Sequence, residues 1–527
     1  MSYLKDNFLL TNKTAEKLYF NYAKEMPIFD YHCHLPEKQI LENKPFDDVF
    51  QIWLAGDHYK WRLMRNYGVD EEYITGASTT NKEKFITYCR VLGTAFGNPL
   101  YHWSQVELKE FFNCDIEINE ENAELIWNWC NDFIKLNGIT PQKLIEQSNV
   151  SHLFTTNEIF DDLSTFGEIA KKGYKFKVIP AFRADKIMNI EAEKYNEFVD
   201  KLGEVQCINC LEKKIEERLH AFIEVGTTAA DIALQSVYKV ASKEEANEAF
   251  LKRRNGDLLT EEEVEKFKGY LTYFLFKLYA KYGIVTELHI GAMRNNNQVM
   301  LNKLGLDTGF DSIAEDNSIK NTSRLFDKLN NENSLPETIV FNLNPKMNSE
   351  IMTLIGAFQS DEARGKMQYG PAWWFLDNKS GMEKHLEDLT ATGHIAAFRN
   401  RIISGIKSDQ RPNGAVDTLL LNIRHVRQTQ QQVVAVHIGN ILADCRQCQD
   451  HTGILGRLCA VQAPIFINIL LHKLHRIVVV SIRNLAAGTD QANHHPLAAD
   501  GSGNRSSQFF QIITGGLVDI FDTNQGF

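Results

Sequence analysis

The sequence predicts a mixed α/β protein whose parallel strands close into a (β/α)8 barrel of the TIM type. Segments that mix β-branched and aromatic residues alternate with segments of helical pattern, as expected for parallel strands joined by helical returns. A barrel of about 250 residues with insertions also suits a chain of 527 residues. The predicted strands are 26–33, 151–156, 175–182, 283–290, 337–343 and 367–374, and the predicted helices include 185–203, 243–254, 260–281 and 379–391.

Residues 36–147 differ from the alternating pattern of the rest of the barrel region. They show helical patterns with no clear strand, and five tryptophans lie among them: Trp53, Trp61, Trp103, Trp127 and Trp129. We therefore expect an all-helical insertion after the first strand.

The composition excludes several classes of function. The net charge is −11, which argues against a nucleic-acid partner because phosphate binding needs a basic surface. The most apolar stretch, 463–482, is interrupted by charged and polar residues, and charges also interrupt the N-terminal segment. We therefore expect no membrane span, no signal peptide and a cytoplasmic location. A small anionic substrate and a homo-oligomer stay compatible with this composition.

The nine cysteines are odd in number and dispersed, so free thiols are expected. Two Cys-x-x-Cys pairs occur, Cys207 with Cys210 and Cys445 with Cys448. A zinc ribbon is the less favoured interpretation of these pairs, because 234 residues separate them and neither lies in a Gly-rich turn.

The composition changes near residue 398. Residues 399–527 contain no Glu, Tyr or Trp, and Arg outnumbers Lys ten to two, whereas Lys and Glu are abundant before that point. The expected domains are therefore a barrel over 1–398, incomplete at its last strand, and an atypical tail over 399–527. A different domain, a shifted reading frame or a fused foreign sequence would each give this bias.

Residues 28–34 contain the strongest candidate for a metal site. His32 and His34 flank Cys33 on a predicted strand, so both imidazoles point to the same face, and Pro36 then ends the strand. Two imidazoles at the end of a strand form half of a metal site. The alternative is a pair of strand-end histidines held by hydrogen bonds.

Further polar residues lie where a barrel places its active site, at the carboxyl ends of its strands. Arg183 and His289 end two predicted strands, and Trp373 and Trp374 end a third. Each has an ordinary explanation, since a strand-end Arg is usually solvated and a Trp pair often belongs to the core. Their recurrence at several strand ends favours a common site.

The helical insertion carries Asp-His-Tyr-Lys-Trp-Arg at residues 57–62. His58 and Arg62 are four residues apart, so on a helix they share one face. A solvated helix face is the alternative to a functional one.

Five strings occur together in this chain: FDYHCHL, DHYKWR, IPAFRADK, LHIGAMRNNN and YGPAWWF. In these strings and their order, residues 1–398 resemble the uronate isomerases, also called glucuronate isomerases, a branch of the amidohydrolase superfamily. The resemblance implies a barrel of the metal-dependent hydrolase type. It also implies interconversion of D-glucuronate with D-fructuronate and of D-galacturonate with D-tagaturonate, in hexuronate catabolism.

The resemblance also implies roles for individual residues. His32 and His34 match the metal ligands of the family, and the expected cofactor is a divalent metal, zinc first. His58, Tyr59 and Arg183 match catalytic residues, and Arg183 is also expected to bind the substrate. The other residues implied to contact the hexuronate are His289, Trp373 and Trp374.

Two departures from the family pattern bear on activity. The Ser-Asp-His-Gly segment of the family corresponds here to Ala229–Ala233, which keeps Asp231 and loses the His. The Thr-Asp-Ser-Arg-Ser run of the last strand, whose Asp completes the family's metal site, has no counterpart after Phe398. We therefore predict weak metal binding and little isomerase activity for the chain as written.

Two other functions compete with the isomerase. A metal-dependent hydrolase of the same superfamily would need a bridging carboxylate, often a modified Lys on the fourth strand, and no such Lys stands out. A catalytically impaired sugar-acid-binding paralogue would keep Arg183 and the pocket without the metal. The preferred uronate and the oligomeric state do not follow from the sequence.

Overall fold

A seven-stranded parallel sheet forms the centre of this computed structural model, which describes residues 4–314, 319–361, 365–370 and 373–393. Its strand order is β1-β2-β3-β4-β5-β8-β9, and β6 and β7 form a separate antiparallel pair. The strands are β1 (Ile28–Cys33), β2 (Val150–Glu158), β3 (Lys177–Arg183), β4 (Ala229–Leu234), β5 (Val285–Ile290), β6 (Ala292–Met293), β7 (Ser312–Ile313), β8 (Thr338–Asn342) and β9 (Met367–Tyr369). The tail over 399–527 lies outside the described residues.

Helices precede β1, separate the strands and follow β9. They are α1 (Lys13–Leu18), α2 (Glu37–Glu42), α3 (Val49–Trp53), α4 (His58–Asn66), α5 (Asn81–Leu92), α6 (Pro99–Phe112), α7 (Ala123–Asn137), α8 (Pro141–Gln147), α9 (Ser164–Lys172), α10 (Asp185–Met188), α11 (Tyr195–Asp200), α12 (Ile208–Glu224), α13 (Lys243–Arg254), α14 (Glu261–Tyr282), α15 (Gln298–Leu304), α16 (Ile319–Asn331), α17 (Asn348–Ala357) and α18 (Lys379–Thr392). A π-helical turn (Tyr19–Ala23) follows α1, and 3₁₀ turns cover Glu71–Tyr73, Pro345–Met347 and Trp374–Leu376. None of the described helices combines the length and the apolarity needed to cross a membrane.

The parallel sheet is curled. Tyr31 on β1 and Phe341 on β8 belong to one buried cluster, with ring centroids 6.2 Å apart. These strands are first and sixth in the sheet, so in a flat sheet they would lie about 24 Å apart at the usual strand spacing. The inner faces of the strands therefore converge on a common interior, as in part of a barrel.

The structure adds one strand to the predicted elements and corrects two others. The strand β4 is absent from the strands predicted by pattern, because its sequence AADIAL is rich in alanine and has weak β-propensity. The strand predicted over 367–374 ends at Tyr369, and Pro371 and Ala372 lie outside the described residues.

The single helix predicted over 185–203 is wrong, because the chain leaves the helical conformation between α10 and α11. Arg253 of α13 donates hydrogen bonds to the carbonyl groups of Ile190, Ala192 and Glu193 in this break. A guanidinium from a distant helix therefore satisfies carbonyl groups that a continuous helix would have bonded internally.

The residues between β1 and β2 form seven helices, α2 to α8, around a hydrophobic cluster of their own. Trp53 is buried in this cluster, with its ring 5.9 Å from that of Phe85. The helix α5 begins with a capping box, in which Thr80 and Glu83 bond each other's backbone N–H groups. This helical region carries α4, and with it His58 and Tyr59.

Candidate active site

The inner face of the sheet changes from apolar to polar along the strand direction. Side chains alternate between the two faces of a strand, so residues two apart point the same way. The buried apolar cluster inside the sheet includes Phe154, Ala181, Ala229 and Val285. Two residues further along the same strands, the inward positions are Thr156, Arg183, Asp231 and Glu287. The carboxyl ends of these strands therefore bring charged groups together.

Three buried residues from different strands form a group that could hold a metal ion. His32 on β1, Asp231 on β4 and His289 on β5 each offer a ligand atom, and these atoms lie within 4.8 Å of one another. The rings of His32 and His289 have centroids 4.6 Å apart. His289 Nδ1 lies 2.8 Å from Asp231 Oδ1.

Arg183 stabilises the negative charge of this group. Its Nε lies 2.7 Å from Asp185 Oδ2 and 3.3 Å from Asp231 Oδ2. Burial would raise the pKa of Asp231, but the Arg183 guanidinium and then the neighbouring imidazoles outweigh it and hold the pKa well below its usual range. Asp231 is therefore an anion at neutral pH although its side chain is fully buried.

Glu287 orients His32. Its Oε2 lies 2.9 Å from His32 Nδ1, so the ring is oriented with Nε2 turned away from Glu287. A carboxylate on the other ring nitrogen is the usual outer partner of a metal-binding histidine. Burial raises the pKa of Glu287 well above its ordinary value, and the negative charges of Asp231 and Asp30 raise it further.

The residues present fit a divalent cation. The two oxygens of Asp231 and Nδ1 of His289 are buried, and the contacts they make with each other and with Arg183 do not have hydrogen-bond geometry. Buried polar atoms of this kind cost free energy unless another group satisfies them. Two imidazole nitrogens and one carboxylate oxygen are the donors that zinc and similar metals accept.

His34 lies beside this group rather than within it. Its ring centroid is 5.0 Å from that of His32, and its Nδ1 lies 3.1 Å from Thr156 Oγ1 on β2. Its side chain is exposed, whereas His32 is buried. His34 therefore contacts the buried group through the ring of His32, and the role of His34 as a ligand stays a prediction.

Aromatic contacts connect the metal-binding group to the helical region. The ring of His289 lies 4.8 Å from Trp373, and Trp373 lies 5.9 Å from Trp374. Trp374 in turn lies 6.0 Å from His58 and 6.5 Å from Tyr59. The structure thus brings the predicted residues of strands, loop and helix α4 into one continuous set of contacts.

The loop over 291–314 fastens α4 in this position. Arg62 donates a hydrogen bond to the Asp311 carbonyl at 2.7 Å, and Arg65 donates to the Thr308 carbonyl at 2.6 Å. Gly309 has a φ of +95°, and a Cβ built there would lie 3.2 Å from both Cβ and O of His58. The buried carboxylate of Asp311 also pairs with Arg294, whose guanidinium lies over the Trp374 ring.

A cavity of about 220 Å³ opens beside the catalytic candidates on α4. The residues that line it include His58, Tyr59, Arg62, Asn98, Trp374 and Asp377. Both ring systems and hydrogen-bonding groups therefore face this space, which is a common composition for a small-molecule site.

Pattern analysis assigned no site role to Asp231 or Glu287. Glu287 precedes His289 by two residues, so the alternation that paired His32 with His34 would also have paired these two. Asp231 is a lone acid in an apolar segment, and such a residue is buried only when it is paired or binds a metal.

Comparison with known proteins identifies the family of this chain. The family model described as glucuronate isomerase matches residues 1–412. A uronate isomerase of Clostridium acetobutylicum is 44% identical over 404 residues, which cover 75% of this chain and 86% of the relative. A uronate isomerase of Clostridium perfringens is 40% identical over 464 residues, covering 86% of this chain and 96% of the relative.

Solved structures are also similar. A uronate isomerase from Thermotoga maritima has a TM-score of 0.72 and 30% identity, covering 87% of this chain and 97% of that one. A glucuronate isomerase from Caulobacter crescentus has a TM-score of 0.73 at 22% identity, covering 87% of this chain and 94% of that one, and shows likeness of fold. The sequence resemblance is confirmed, and the chain belongs to the uronate isomerase family.

Proposed function

We propose that this chain is an isomerase that interconverts aldohexuronates and ketohexuronates, D-glucuronate with D-fructuronate and D-galacturonate with D-tagaturonate. The observation that carries the proposal is the juxtaposition of the buried group His32, Asp231 and His289 with Arg183. One part of this arrangement suits a metal, and the other suits the carboxylate of a sugar acid.

Arg183 is the proposed anchor of the substrate carboxylate. Its Nε faces Asp185 and Asp231, and its two Nη groups are the proposed donors of a bidentate pair with the substrate carboxylate. Its side chain is 20% exposed, so a ligand can reach it. Trp374 lines the cavity beside α4, and Trp373 contacts both Trp374 and His289, so we propose these two rings as apolar walls of the pocket.

The reaction moves a proton from C2 to C1 of the open-chain sugar through an enediol. Tyr59 and His58 are the proposed proton-transfer pair, because both line the cavity next to Trp374. One group removes the C2 proton while a proton returns to C1, so no redox partner is needed. When bound by His32, Asp231 and His289, with His34 as a further ligand, a divalent metal would stabilise the negative charge that develops on O1 and O2.

We propose zinc as this metal, because neutral imidazoles and a carboxylate are its common ligands. We further propose a cytoplasmic location, with a small hexuronate as the partner and with no nucleic-acid or membrane partner. The composition is compatible with a homo-oligomer, and light scattering of the purified chain would report its mass.

We propose that residues 1–398 form a (β/α)8 barrel that lacks a normal eighth strand, and that residues 399–527 are out of frame or foreign. The described sheet has seven parallel strands and is curled, which supports a barrel that one further strand would close. Resequencing the locus tests this proposal. Peptides that cross Arg399 in the natural protein would overturn it.

The experiment for the function uses the purified full chain, stripped of metal and then reloaded with zinc. Incubation with D-glucuronate or D-galacturonate should give the corresponding ketohexuronate, slowly and only in the presence of metal. Tight hexuronate binding without conversion would instead favour the impaired sugar-acid binder, as the absent last-strand Asp suggests. Hydrolysis of an amide or ester substrate without isomerisation would favour the metal-dependent hydrolase.

A further inference from the structure

The pair Cys207 and Cys210 lies at the start of α12, which connects β3 to β4 and belongs to neither the metal group nor the cavity. The two Sγ atoms lie 3.0 Å apart. Both side chains are partly exposed. Two thiols in contact at a partly exposed position meet the steric requirement for reaction with each other and with a small molecule in solution.

The helix sets this geometry. Cys207 is the N-cap of α12 and Cys210 lies three residues on, in the first turn, so one turn of helix brings the thiols together. Leu211 N–H donates to the Cys207 carbonyl at 3.0 Å, and Ile208 N–H donates to Asn247 Oδ1 at 2.9 Å. The backbone on both sides of the pair is therefore held in place.

The same position favours the thiolate of Cys210. A hydrogen bond from the Cys207 thiol and the nearby backbone N–H groups lower the pKa of Cys210. Burial has the opposite effect elsewhere, since it raises the pKa of the thiols of Cys89 and Cys130. Cys210 therefore combines a lowered pKa with contact to a second thiol.

We propose that Cys207 and Cys210 are a site of thiol–disulfide exchange that takes low-molecular-weight disulfides as its substrate. The thiolate of Cys210 attacks one sulfur of the disulfide and releases one thiolate, which leaves a mixed disulfide on Cys210. Cys207, on losing its proton, attacks Cys210 Sγ and releases the second thiol. Two protein thiols are oxidised to one disulfide, and one small disulfide is reduced to two thiols.

The chain offers a direct readout of this reaction. Cleavage after Lys201 and Lys213 gives a peptide over 202–213 that contains Cys207 and Cys210 and no other cysteine. Buried Cys89, Cys114 and Cys130 serve as controls within the same molecule, because oxidant cannot reach them in the folded chain.

The experiment incubates the folded full chain with oxidised glutathione, blocks the remaining thiols and measures this peptide by mass spectrometry. We expect the peptide to lose two hydrogen atoms while the control cysteines stay alkylated. Reduced glutathione should reverse the change. A peptide that stays fully reduced in excess oxidised glutathione, or that is oxidised no faster than the buried controls, overturns the proposal.

Two variants separate the roles of the thiols. Cys207 makes no side-chain capping bond, so Cys207→Ala should leave α12 intact. In this variant the glutathione adduct should accumulate on Cys210, and alkylation of Cys210 should shift to higher pH because a hydrogen-bond donor is lost. In Cys210→Ala the adduct on Cys207 should form more slowly. Equal rates in the two variants would contradict Cys210 as the attacking thiol.

Discussion

The charged ends of the strands and the helix α4 both supply proposed active-site residues, but they hold them in different ways. Asp231 is paired in register with Arg183 on one side and with Glu287 on the other, so backbone ladders fix its position. His58 and Tyr59 lie on a nine-residue helix that a loop fastens through Arg62 and Arg65.

The two regions should therefore differ in how well they tolerate substitutions. A site built on strands keeps its geometry as long as the sheet is folded, whereas a site on a fastened helix depends on a few side-chain contacts. Metal binding should therefore be lost through changes of charge at the strand ends. Proton transfer should respond to changes in the loop over 291–314.

The largest effect is expected for Asp231→Asn. The variant loses the carboxylate of the metal-binding group and leaves Arg183 with one anion fewer, so zinc affinity should fall by more than the roughly 10–100-fold caused by losing a residue that only supports a metal ligand. Zinc affinity measured by competition with a chelator checks this. Asp185→Asn is the matched control, because Asp185 also contacts Arg183 but is not in the metal-binding group. Equal zinc affinities in the two variants would contradict the assignment.

Glu158→Gln should reveal how much the negative charge of Glu158, at the end of β2, lowers the free energy of unfolding. Burial, and then the negative charge of Asp185, raise the pKa of Glu158 from its usual 4.5 to about 7. The folded chain therefore holds a proton that the unfolded chain has lost, and wild-type stability falls as pH rises through this window.

The glutamine variant lacks this loss. As the pH rises from 4.5 to about 7, the free energy of unfolding of the variant should increasingly exceed that of the wild type, by up to about 3 kcal/mol. Above pH 7 this difference should level off. Urea unfolding at a series of pH values measures it. A difference that stays constant with pH would contradict a raised pKa.

Arg183→Lys should weaken hexuronate binding by about 1.5–3 kcal/mol, because an ammonium cannot make the forked pair with a carboxylate. Calorimetric titration with a hexuronate, and with the corresponding neutral hexose as control ligand, checks this. The hexose should bind equally to both proteins. A loss of affinity for both ligands would mean that the variant has changed the pocket as a whole.

The smallest effect is expected for Asp311→Asn. The variant weakens the pair with Arg294 and leaves Arg62 bonded to the Asp311 carbonyl, so about 1 kcal/mol should be lost from the fastening of α4. Faster hydrogen exchange in residues 58–66 with unchanged zinc affinity is the expected result. Asp307→Asn is the control, because Asp307 is an exposed acid on the same loop. A fall in zinc affinity would show that the two regions are not separate.

The sequence was most informative where local order and chemistry coincide. His32 lies on a strand that is followed by Pro36, and Arg183 and His289 lie at the ends of strands that their β-branched and aromatic residues identify. The strand of Asp231 escaped pattern analysis, because alanines make a strand only when neighbouring strands pair with them. The break between α10 and α11 could not be foreseen either, since it depends on Arg253, more than fifty residues away along the chain.

The loop over 291–314 shows the same limit. The strands β6 and β7 have two residues each, too few to show an alternating pattern. Their pairing goes together with the hydrogen bond between Asp311 and Arg62 of α4, a residue far away in the sequence. Contacts made between distant segments by single side chains leave no periodicity in the sequence.

The position of β1 in the sheet has a further consequence. Among the described strands β1 is first in the order and β9 last, and β2 is the one described strand that pairs with β1. His32 and His34 lie on and just after this strand. A segment that pairs with the side of β1 away from β2 would therefore also lie beside the two histidines. A change in the strand that pairs on this side is therefore expected to reach the metal-binding group through the backbone of β1.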